Sequence, residues 1–543
     1  MKIDAIKDSK VISAINSYIT CKRAVVITIA VIAFVAVIIT GIEIIRTAQE
    51  FIPGTGLSQL DESFNNTLRL NIFKHSIVVF IIMAIGAAFI MLALKIKLEY
   101  IYLAVALCLG IAYMLSITPL SGPDEEHHYV ASHIIAGHML FEEDPFNFDS
   151  RYLDYRMLAI HHNVPQAYLR LMDDGIYFFR GEAEYIYSEN FAETYTLGYP
   201  LWYLPQALGL SIARLIGLSF FGAFYLARFF NLLLYVLAVT FSIKRLTAFK
   251  LPLFLIGLMP MSLHQAASFS NDPFINAISM LFIAFAIKCI YERDKFHWRD
   301  YIGLLVAGVL LAPAKAIYLP IVFIILIVAW KWKEIINAKA WILASSIAVL
   351  SMGATFLLYG TATVEMAGEQ ATNWEGGYNF TMAFVLENPI ETFMIFLRTP
   401  YHFREWYFYS LLGQFLSGVS LVVPRPYILI TFFMLLLAVL YGKRDEWQPK
   451  IAHRAIYFVV CSAVVVLCLA AMFFGWTSDW HNVILGVQGR YFIPLMPLAL
   501  LMLRFKKLLI PYEFFRNGVI VVFLLTQGAI ITYVLSYTIG LYS

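Results

Sequence analysis

Long apolar runs separated by short polar segments repeat along the whole chain. An α-helix rises 1.5 Å per residue, so roughly 20 apolar residues cross the ~30 Å hydrocarbon core of a bilayer. Thirteen runs are apolar enough to predict membrane helices, at residues 24–45, 74–94, 99–119, 222–243, 251–269, 274–291, 301–314, 317–330, 340–360, 426–441, 455–475, 491–503 and 518–538. The pattern predicts an all-α fold, a polytopic membrane helix bundle of about thirteen transmembrane helices.

The composition supports a membrane protein. Hydrophobic residues make up 61% of the 543 and charged residues only 14%, whereas soluble proteins average about 45–50% and 25%. These values exclude a disordered chain, a disulfide-rich secreted scaffold and a nucleic-acid binder with a basic face. The five cysteines form no CxxC pair, so neither a disulfide framework nor a zinc ribbon is indicated.

The first apolar run follows Lys22 and Arg23 and extends over residues 24–45. A cleavable signal peptide has an apolar region of about 7–15 residues, which is much shorter. We therefore expect a signal anchor that stays in the protein, with the N-terminus in the cytoplasm.

The basic residues predict which loops face the cytoplasm, because short cytoplasmic loops are rich in Lys and Arg. Residues 201–218 are apolar enough to span, but they contain Arg214. If this stretch lies along the membrane surface, the cytoplasmic segments hold 25 of the 39 Lys and Arg but only 10 of the 36 Asp and Glu. Those segments are 1–23, 95–99, 244–250, 288–300, 331–339, 442–454 and 504–516. A spanning 201–218 would turn the later basic loops outward, so we expect it at the interface.

The opposite, extracytoplasmic face then carries two large loops, residues 120–221 and 361–425. Ordered loops on a rigid scaffold often carry function. The sequence shows no pair of inverted halves with matching broken helices, a pattern that many transporters have. We therefore look for the functional residues in and beside these loops.

An acidic motif, Asp124-Glu125-Glu126-His127-His128, follows the third predicted span. Adjacent carboxylates at a membrane boundary raise one another's pKa, which can tune a base for catalysis. The structural alternative is an acidic helix N-terminus with Pro123 in its first turn, where acids face the helix dipole. The residues leave both interpretations open.

Metal binding is a separate question. The histidines do not form an HExxH peptidase motif. A weakly held Mg²⁺ or Mn²⁺ bridging carboxylates to a phosphate is an open alternative, with Asp124, Glu125 and Asp272 as its candidate ligands.

Three further segments place polar groups on the same face. Asp272 lies in a Ser-Asn-Asp-Pro turn and is alternatively the N-cap of the next helix. Lys315 lies between two apolar runs, where a lysine needs an anion or must extend to the interface. Gln488, Arg490 and Tyr491 begin the twelfth predicted span, and an arginine there suits a lipid phosphate or serves as an interfacial anchor.

An acid and several cations on one membrane face match the needs of transfer from a lipid-linked phosphate donor. A carboxylate can take a proton from an acceptor hydroxyl, and cations can stabilise the charge on the leaving phosphate.

The chain resembles a family of bacterial multi-pass membrane proteins that is catalogued as a domain of unknown function and is related to the GT-C glycosyltransferases. The resemblance is carried by PDEEHHY at 123–129, YPLWYLPQALG at 199–209, LMPMSLHQAASFSNDPFINA at 258–277, APAKAIYLP at 312–320, ENPIETF at 387–393 and QGRYFIPLMPLALL at 488–501. These stretches cover most of the chain after residue 100. Residues 1–98 would then be a two-helix N-terminal segment and residues 99–543 the GT-C-like domain.

The resemblance implies a helical membrane bundle with interfacial helices in its outer loops, located in the bacterial cytoplasmic membrane. It also implies a polyprenyl-phosphate sugar donor, a cell-envelope glycan or lipid-linked acceptor, and inversion at the anomeric carbon. By this resemblance, Asp124 and Glu125 look like the catalytic acidic pair of GT-C enzymes. His128 then matches a histidine of the family motif, and Asp272 matches a second external acid. One departure is that the acidic loop follows the third span here, whereas GT-C enzymes usually have it after the first.

The leading expectation is therefore an enzyme in which Asp124 is the base, Glu125 positions the acceptor or a cation, and Lys315 and Arg490 bind the lipid phosphate. The alternative is a transporter or flippase of a lipid-linked saccharide, which would have polar groups deep among its helices.

Overall fold

The computed structural model describes residues 62–142, 146–159, 163–174, 185–187, 200–366, 377–417 and 421–540. The predicted signal anchor at 24–45 lies outside these residues.

α-Helices dominate the described chain. In its first half they are α1 (Glu62–Ala93), α2 (Leu98–Ser116), α3 (Glu125–Met139), α4 (Ser150–Ala159), α5 (Pro165–Asp174), α6 (Leu204–Leu215), α7 (Phe220–Arg245), α8 (Lys250–Gly257), α9 (Pro260–Ala266) and α10 (Asp272–Tyr291). In its second half they are α11 (Trp298–Leu311), α12 (Leu319–Val322), α13 (Ile325–Ile336), α14 (Lys339–Met366), α15 (Met382–Glu387), α16 (Pro389–His402), α17 (Arg404–Leu412), α18 (Arg425–Leu440), α19 (Ile451–Gly475), α20 (Met496–Met502) and α21 (Glu513–Gly540). The expectation of a mainly helical membrane protein is confirmed, although two short antiparallel strand pairs accompany the helices: β1 (Asn147–Asp149) with β2 (Tyr185–Tyr187), and β3 (Phe415–Leu416) with β4 (Leu421–Val422).

Seven helices within the described residues are long and apolar enough to cross a membrane. They are α1, α2, α7, α10, α14, α19 and α21, and each covers all or most of one of the apolar runs in the sequence. The total of thirteen spans stays a prediction.

Proline breaks several of the other apolar runs, because it lacks an N–H group and clashes with the preceding helical turn. The run 251–269 was expected to be one helix, but it forms α8 and α9 with a break before Pro260. The run 491–503 likewise begins as a 3₁₀ turn, Gly489–Leu495, and continues as the seven-residue α20.

The core of the bundle is one large cluster of buried apolar side chains that α7 crosses. This helix packs against α2, α6 and α10. α1 packs against α2 and α21 and contributes Leu70 and Ile81 to the same cluster. The proposed division at residue 98 stays a prediction.

The described parts of the two large loops pack against the bundle in two smaller apolar clusters. Aromatic side chains from α3 and the following segment, such as Tyr129 and Tyr152, pack on Phe220 and Phe224 of α7. Phe396 of α16 packs on Phe473 of α19, with ring centroids 5.5 Å apart, in a third cluster. The stretch 201–218 contains α6, whose 12 residues rise only about 18 Å, short of a bilayer core.

The basic loops lie together at one end of the bundle. Lys250 donates to Glu99 at 3.2 Å, and Glu292 accepts from the backbone of Thr247 at 3.0 Å and from the Trp447 indole at 3.2 Å. Lys95 lies 3.8 Å from Glu513. Five of the predicted cytoplasmic segments are therefore neighbours in space, and the acidic motif lies at the other end of α2.

Candidate active site

Four charged side chains, Asp124, Asp272, Lys315 and Arg490, meet at the end of the bundle away from the basic loops. We call them the charge quartet. The Arg490 Nη2 atom donates to Asp124 Oδ2 at 3.0 Å, and the Arg490 Nε atom lies 3.5 Å from Asp272 Oδ2. Lys315 Nζ donates to Asp272 Oδ1 at 2.9 Å. Two carboxylates thus alternate with two cations, and Arg490 bridges both acids.

The four side chains of the charge quartet differ in their exposure to solvent. The Asp124 side chain is 61% exposed, Lys315 26%, and Asp272 and Arg490 7% and 6%. A molecule that approaches the site from solvent meets the Asp124 carboxylate first and then the more buried cations. An accessible carboxylate can accept a proton, and the cations can bind an anion.

An aromatic ring lies beside the two cations. The Tyr491 ring centroid is 5.0 Å from Lys315 Nζ and 5.6 Å from Arg490 Cζ. The Tyr318 hydroxyl donates to the Tyr491 carbonyl at 2.9 Å. Burial lowers the pKa of Lys315, but the charge of Asp272, the hydrogen bond to it and the neighbouring Tyr491 together raise it by more, so this lysine is positively charged at neutral pH.

Tight backbone packing holds Arg490 in place. The preceding residue, Gly489, packs directly on the backbone of α17, where an added Cβ atom would clash with the Tyr407 oxygen and the Leu411 nitrogen. The Gly489 N–H group donates to Ser410 Oγ at 3.0 Å. The glycine is therefore required for this close approach.

The backbone at Asp124 is left-handed, with φ 55° and ψ 18°, and α3 begins only at Glu125. The structural alternative placed Pro123 in the first helical turn, whereas Pro123 lies before the helix and the acids Glu125 and Glu126 occupy its first turn. Gly122 and Glu125 instead close a turn through the bond from Glu125 N–H to the Gly122 carbonyl at 3.3 Å. Asp and Asn tolerate left-handed backbone better than other non-glycine residues.

Asp272 also differs from the capping alternative. Asn271 occupies the N-cap of α10, and Asp272 is the first helical residue. Its carboxylate is free to accept from Lys315 and, at 2.7 Å, from Gln265 Nε2.

Glu125 does not lie in the open part of the site, contrary to the expectation that it positions an acceptor or a cation. Its side chain is fully buried, and both oxygens accept from Arg228, at 2.8 and 2.7 Å. They also accept from the backbone of Gly122 at 3.0 Å and Phe269 at 2.8 Å. Glu125 therefore ties together the two turns that carry Asp124 and Asp272.

His128 lies near both acids and contacts Tyr203, the residue that precedes α6. Its Nδ1 atom is 2.9 Å from the Tyr203 hydroxyl. Burial lowers the pKa of His128 to about 3, although the charges of Asp124 and Asp272 oppose that shift. This histidine is therefore neutral at physiological pH.

The backbone of Gln488 contributes to the site, since its carbonyl accepts from the Tyr491 N–H group at 3.1 Å. The three carboxylates considered as metal ligands each accept from a cation, namely Arg490, Arg228 or Lys315. Among the described residues, no group of three or more His, Cys, Asp and Glu has a metal-binding arrangement. This donor set does not fit the Mg²⁺ or Mn²⁺ site considered from the sequence.

The family of the chain follows from a comparison with family models. The model described as "Predicted membrane protein (DUF2142)" matches residues 107–499, which is most of the chain. The chain belongs to this family. No curated protein and no solved structure gave a significant match.

The DUF2142 match contains the whole charge quartet, from Asp124 to Arg490, and begins inside α2. It excludes α1 and α21, which pack together on the side of the bundle. The site thus lies within the part of the chain that defines the DUF2142 family.

The sequence analysis missed several residues that shape the site. Arg228 lies in the middle of the apolar α7, and a buried arginine in a membrane helix is itself a signal of a partner or a function. Gln265 and Tyr203 carried no comparable signal, since amides and tyrosines are common at membrane boundaries.

Proposed function

We propose that this DUF2142 protein is a membrane glycosyltransferase of the GT-C type. It would move a sugar from a polyprenyl-phosphate donor to a cell-envelope glycan or a lipid-linked acceptor. The observation that carries the proposal is the exposed Asp124 carboxylate bonded to the buried Arg490, with Lys315 next to it. The family resemblance implies a location in the bacterial cytoplasmic membrane, and the charge pattern supports placing the quartet on the extracytoplasmic face.

In the proposed reaction, Asp124 removes the proton from an acceptor hydroxyl. The oxygen then forms a bond to the anomeric carbon of the donor while the bond from that carbon to the phosphate oxygen breaks. The electron pair leaves with the polyprenyl phosphate, whose negative charge Arg490 and Lys315 stabilise. Attack opposite the leaving group inverts the anomeric centre.

The resting arrangement supports an exchange of partners during binding. Arg490 now donates to Asp124, yet a guanidinium also binds phosphate oxygens well. A donor phosphate would draw Arg490 away and free the Asp124 oxygen to accept a proton. Asp272 would continue to hold Lys315 and Arg490 in position.

Two substitutions test the proposal by separating binding from transfer. Asp124→Asn keeps the shape and the left-handed backbone but cannot act as a base at neutral pH. We expect it to bind polyprenyl-phosphate sugars and to lose roughly 10²–10⁴-fold in turnover. Arg490→Ala should weaken both donor binding and turnover, since it removes a cation that contacts the phosphate in the ground state and the transition state.

The measurement is transfer by purified protein in lipid with a panel of polyprenyl-phosphate sugars, together with donor binding. Near-normal turnover of Asp124→Asn would show that Asp124 is not the base. If neutral variants of Asp124 and Asp272 both keep the activity or the cellular phenotype, the glycosyltransferase proposal fails and the transporter alternative takes its place.

A further inference from the structure

Two loops at the basic end of the bundle are joined into one surface. Residues 441–450 follow α18, and residues 503–514 comprise the link after α20 and the first two residues of α21. The Ile510 N–H group donates to the Leu440 carbonyl at 2.7 Å, and Lys506 N–H donates to Gln448 Oε1 at 2.8 Å. We call residues 441–450 and 503–514 the basic platform.

Two arginines, Arg504 and the partly buried Arg454, fix the shape of the basic platform. Arg504 is fully buried and donates to the Glu446 carboxylate at 2.5 Å and to the Trp447 carbonyl at 3.4 Å. Arg454 donates to the carbonyls of Met502 and, at 2.5 Å, Arg504. These two cations satisfy groups inside the protein, so they hold the loops together.

The surface of the platform is strongly positive. Of its acids, Glu446 pairs with Arg504 and Glu513 lies 3.8 Å from Lys95. One other exposed acid, Asp445, is left. The platform has five exposed cations for this one exposed acid, namely Lys443, Arg444, Lys450, Lys506 and Lys507.

The same surface carries large apolar side chains. Phe505 is 48% exposed, Leu508 56%, Tyr512 70% and Phe514 89%. Exposure of apolar surface to water is unfavourable by about 25 cal/mol for each Å² of area. Burial of these side chains among lipid acyl chains removes that cost, and it places the neighbouring Lys506 and Lys507 at the level of the headgroups.

We propose that the basic platform is a binding site for the phosphate headgroups of anionic lipids. Its lysines and arginine contact the headgroup, and its apolar side chains contact the acyl chains. Each cation held near an anionic membrane surface contributes about 1 kcal/mol, equivalent to about a fivefold change in affinity. The platform lies at the far end of α10 and α19 from the charge quartet, so this site is separate from the proposed active site.

A charge-matched pair of variants tests the site. The platform variant combines Lys443→Gln, Arg444→Gln, Lys506→Gln and Lys507→Gln. The control combines Lys295→Gln, Arg299→Gln, Lys333→Gln and Lys339→Gln, which removes four exposed cations from other basic loops. Native mass spectrometry of the full chain in detergent would measure binding of dioleoylphosphatidylglycerol, with dioleoylphosphatidylcholine as the neutral lipid.

We expect the platform variant to bind phosphatidylglycerol at least tenfold more weakly than the wild type, and the control to change less than twofold. Equal losses in the two variants, or no loss in the platform variant, would overturn the proposal. Displacement of the lipid by millimolar inorganic phosphate would also overturn it, because that outcome identifies a free-anion site. The paired change Leu508→Ser and Phe514→Ser keeps every cation and should still weaken lipid binding severalfold. Unchanged binding in this variant would contradict the acyl-chain contact.

Discussion

Arg490 and Asp124 are 366 positions apart in the sequence, yet the Arg490 guanidinium donates to the Asp124 carboxylate at 3.0 Å. The two ends of this bond differ in environment, since Arg490 is 6% exposed and Asp124 61%. A buried cation therefore holds an accessible carboxylate at the mouth of the site. An incoming phosphate and the carboxylate would compete for the same guanidinium.

Loss of one partner of the buried pair Glu125–Arg228 should destabilise the fold strongly. Glu125→Gln or Arg228→Met leaves an uncompensated buried charge, and we expect a loss of about 3–5 kcal/mol in the free energy of unfolding. The measurement is chemical or thermal unfolding of the purified variants in detergent.

The double variant Glu125→Leu with Arg228→Met is the matched control for that pair. Replacing both charges by apolar groups is often nearly neutral, so most of the lost stability should return. A double variant no more stable than the single ones would show that the backbone bonds from Gly122 and Phe269, rather than the charge pair, dominate.

Gly489→Ala should displace the 3₁₀ turn that carries Arg490. The new methyl group meets the backbone of Tyr407 and Leu411, and overpacking of this kind costs about 1–3 kcal/mol or more. We expect lower stability and weaker binding of a polyprenyl phosphate. Gly518→Ala is the control, because nothing lies within 4 Å of its added Cβ atom. Equal behaviour of the two variants would contradict the packing argument.

His128 should make folding sensitive to mild acid. Burial depresses its pKa in the folded state to about 3 from 6.5, so the unfolded chain binds the proton more readily. Its contribution to stability is complete above pH 6.5 and is lost as the pH falls toward 3. The slope is at most about 1.4 kcal/mol per pH unit. Unfolding measured between pH 7 and pH 5 should show a shallower pH dependence in His128→Asn than in the wild type. An unchanged slope would exclude this histidine as its source.

The two ends of α7 should lie on opposite sides of the membrane. Ile216 precedes this helix and is 55% exposed, and Thr247 follows it at the basic end. Single cysteines at these positions, in a cysteine-free background, can be labelled with a membrane-impermeant maleimide. Ile216→Cys should react with the maleimide in intact cells, and Thr247→Cys should react only after the membrane is permeabilised. Reaction of both from the same side, or with the sides exchanged, would make the topology wrong.

The sequence by itself determined the class of the fold and the grouping of the loops. Within the described residues, seven of its apolar runs form helices long and apolar enough to cross a membrane, because about twenty apolar residues in a row have few alternatives. The number of helices does not follow from the sequence alone. Whether Pro260 or Pro494 breaks a helix depends on how neighbouring helices satisfy the freed backbone groups.

The sequence placed Asp124, Asp272, Lys315 and Arg490 on one face, but only the tertiary structure decided which acid of the motif is accessible and which is structural. Asp124 and Glu125 are adjacent in the same acidic motif, but one carboxylate is exposed beside Arg490 and the other is fully buried against Arg228. A sequence records that both are acids and does not record their distances to groups a hundred or more residues away. Because burial and charge partners set the role of a carboxylate, only the packing of α3 against α7 and the turn at Arg490 separates the two.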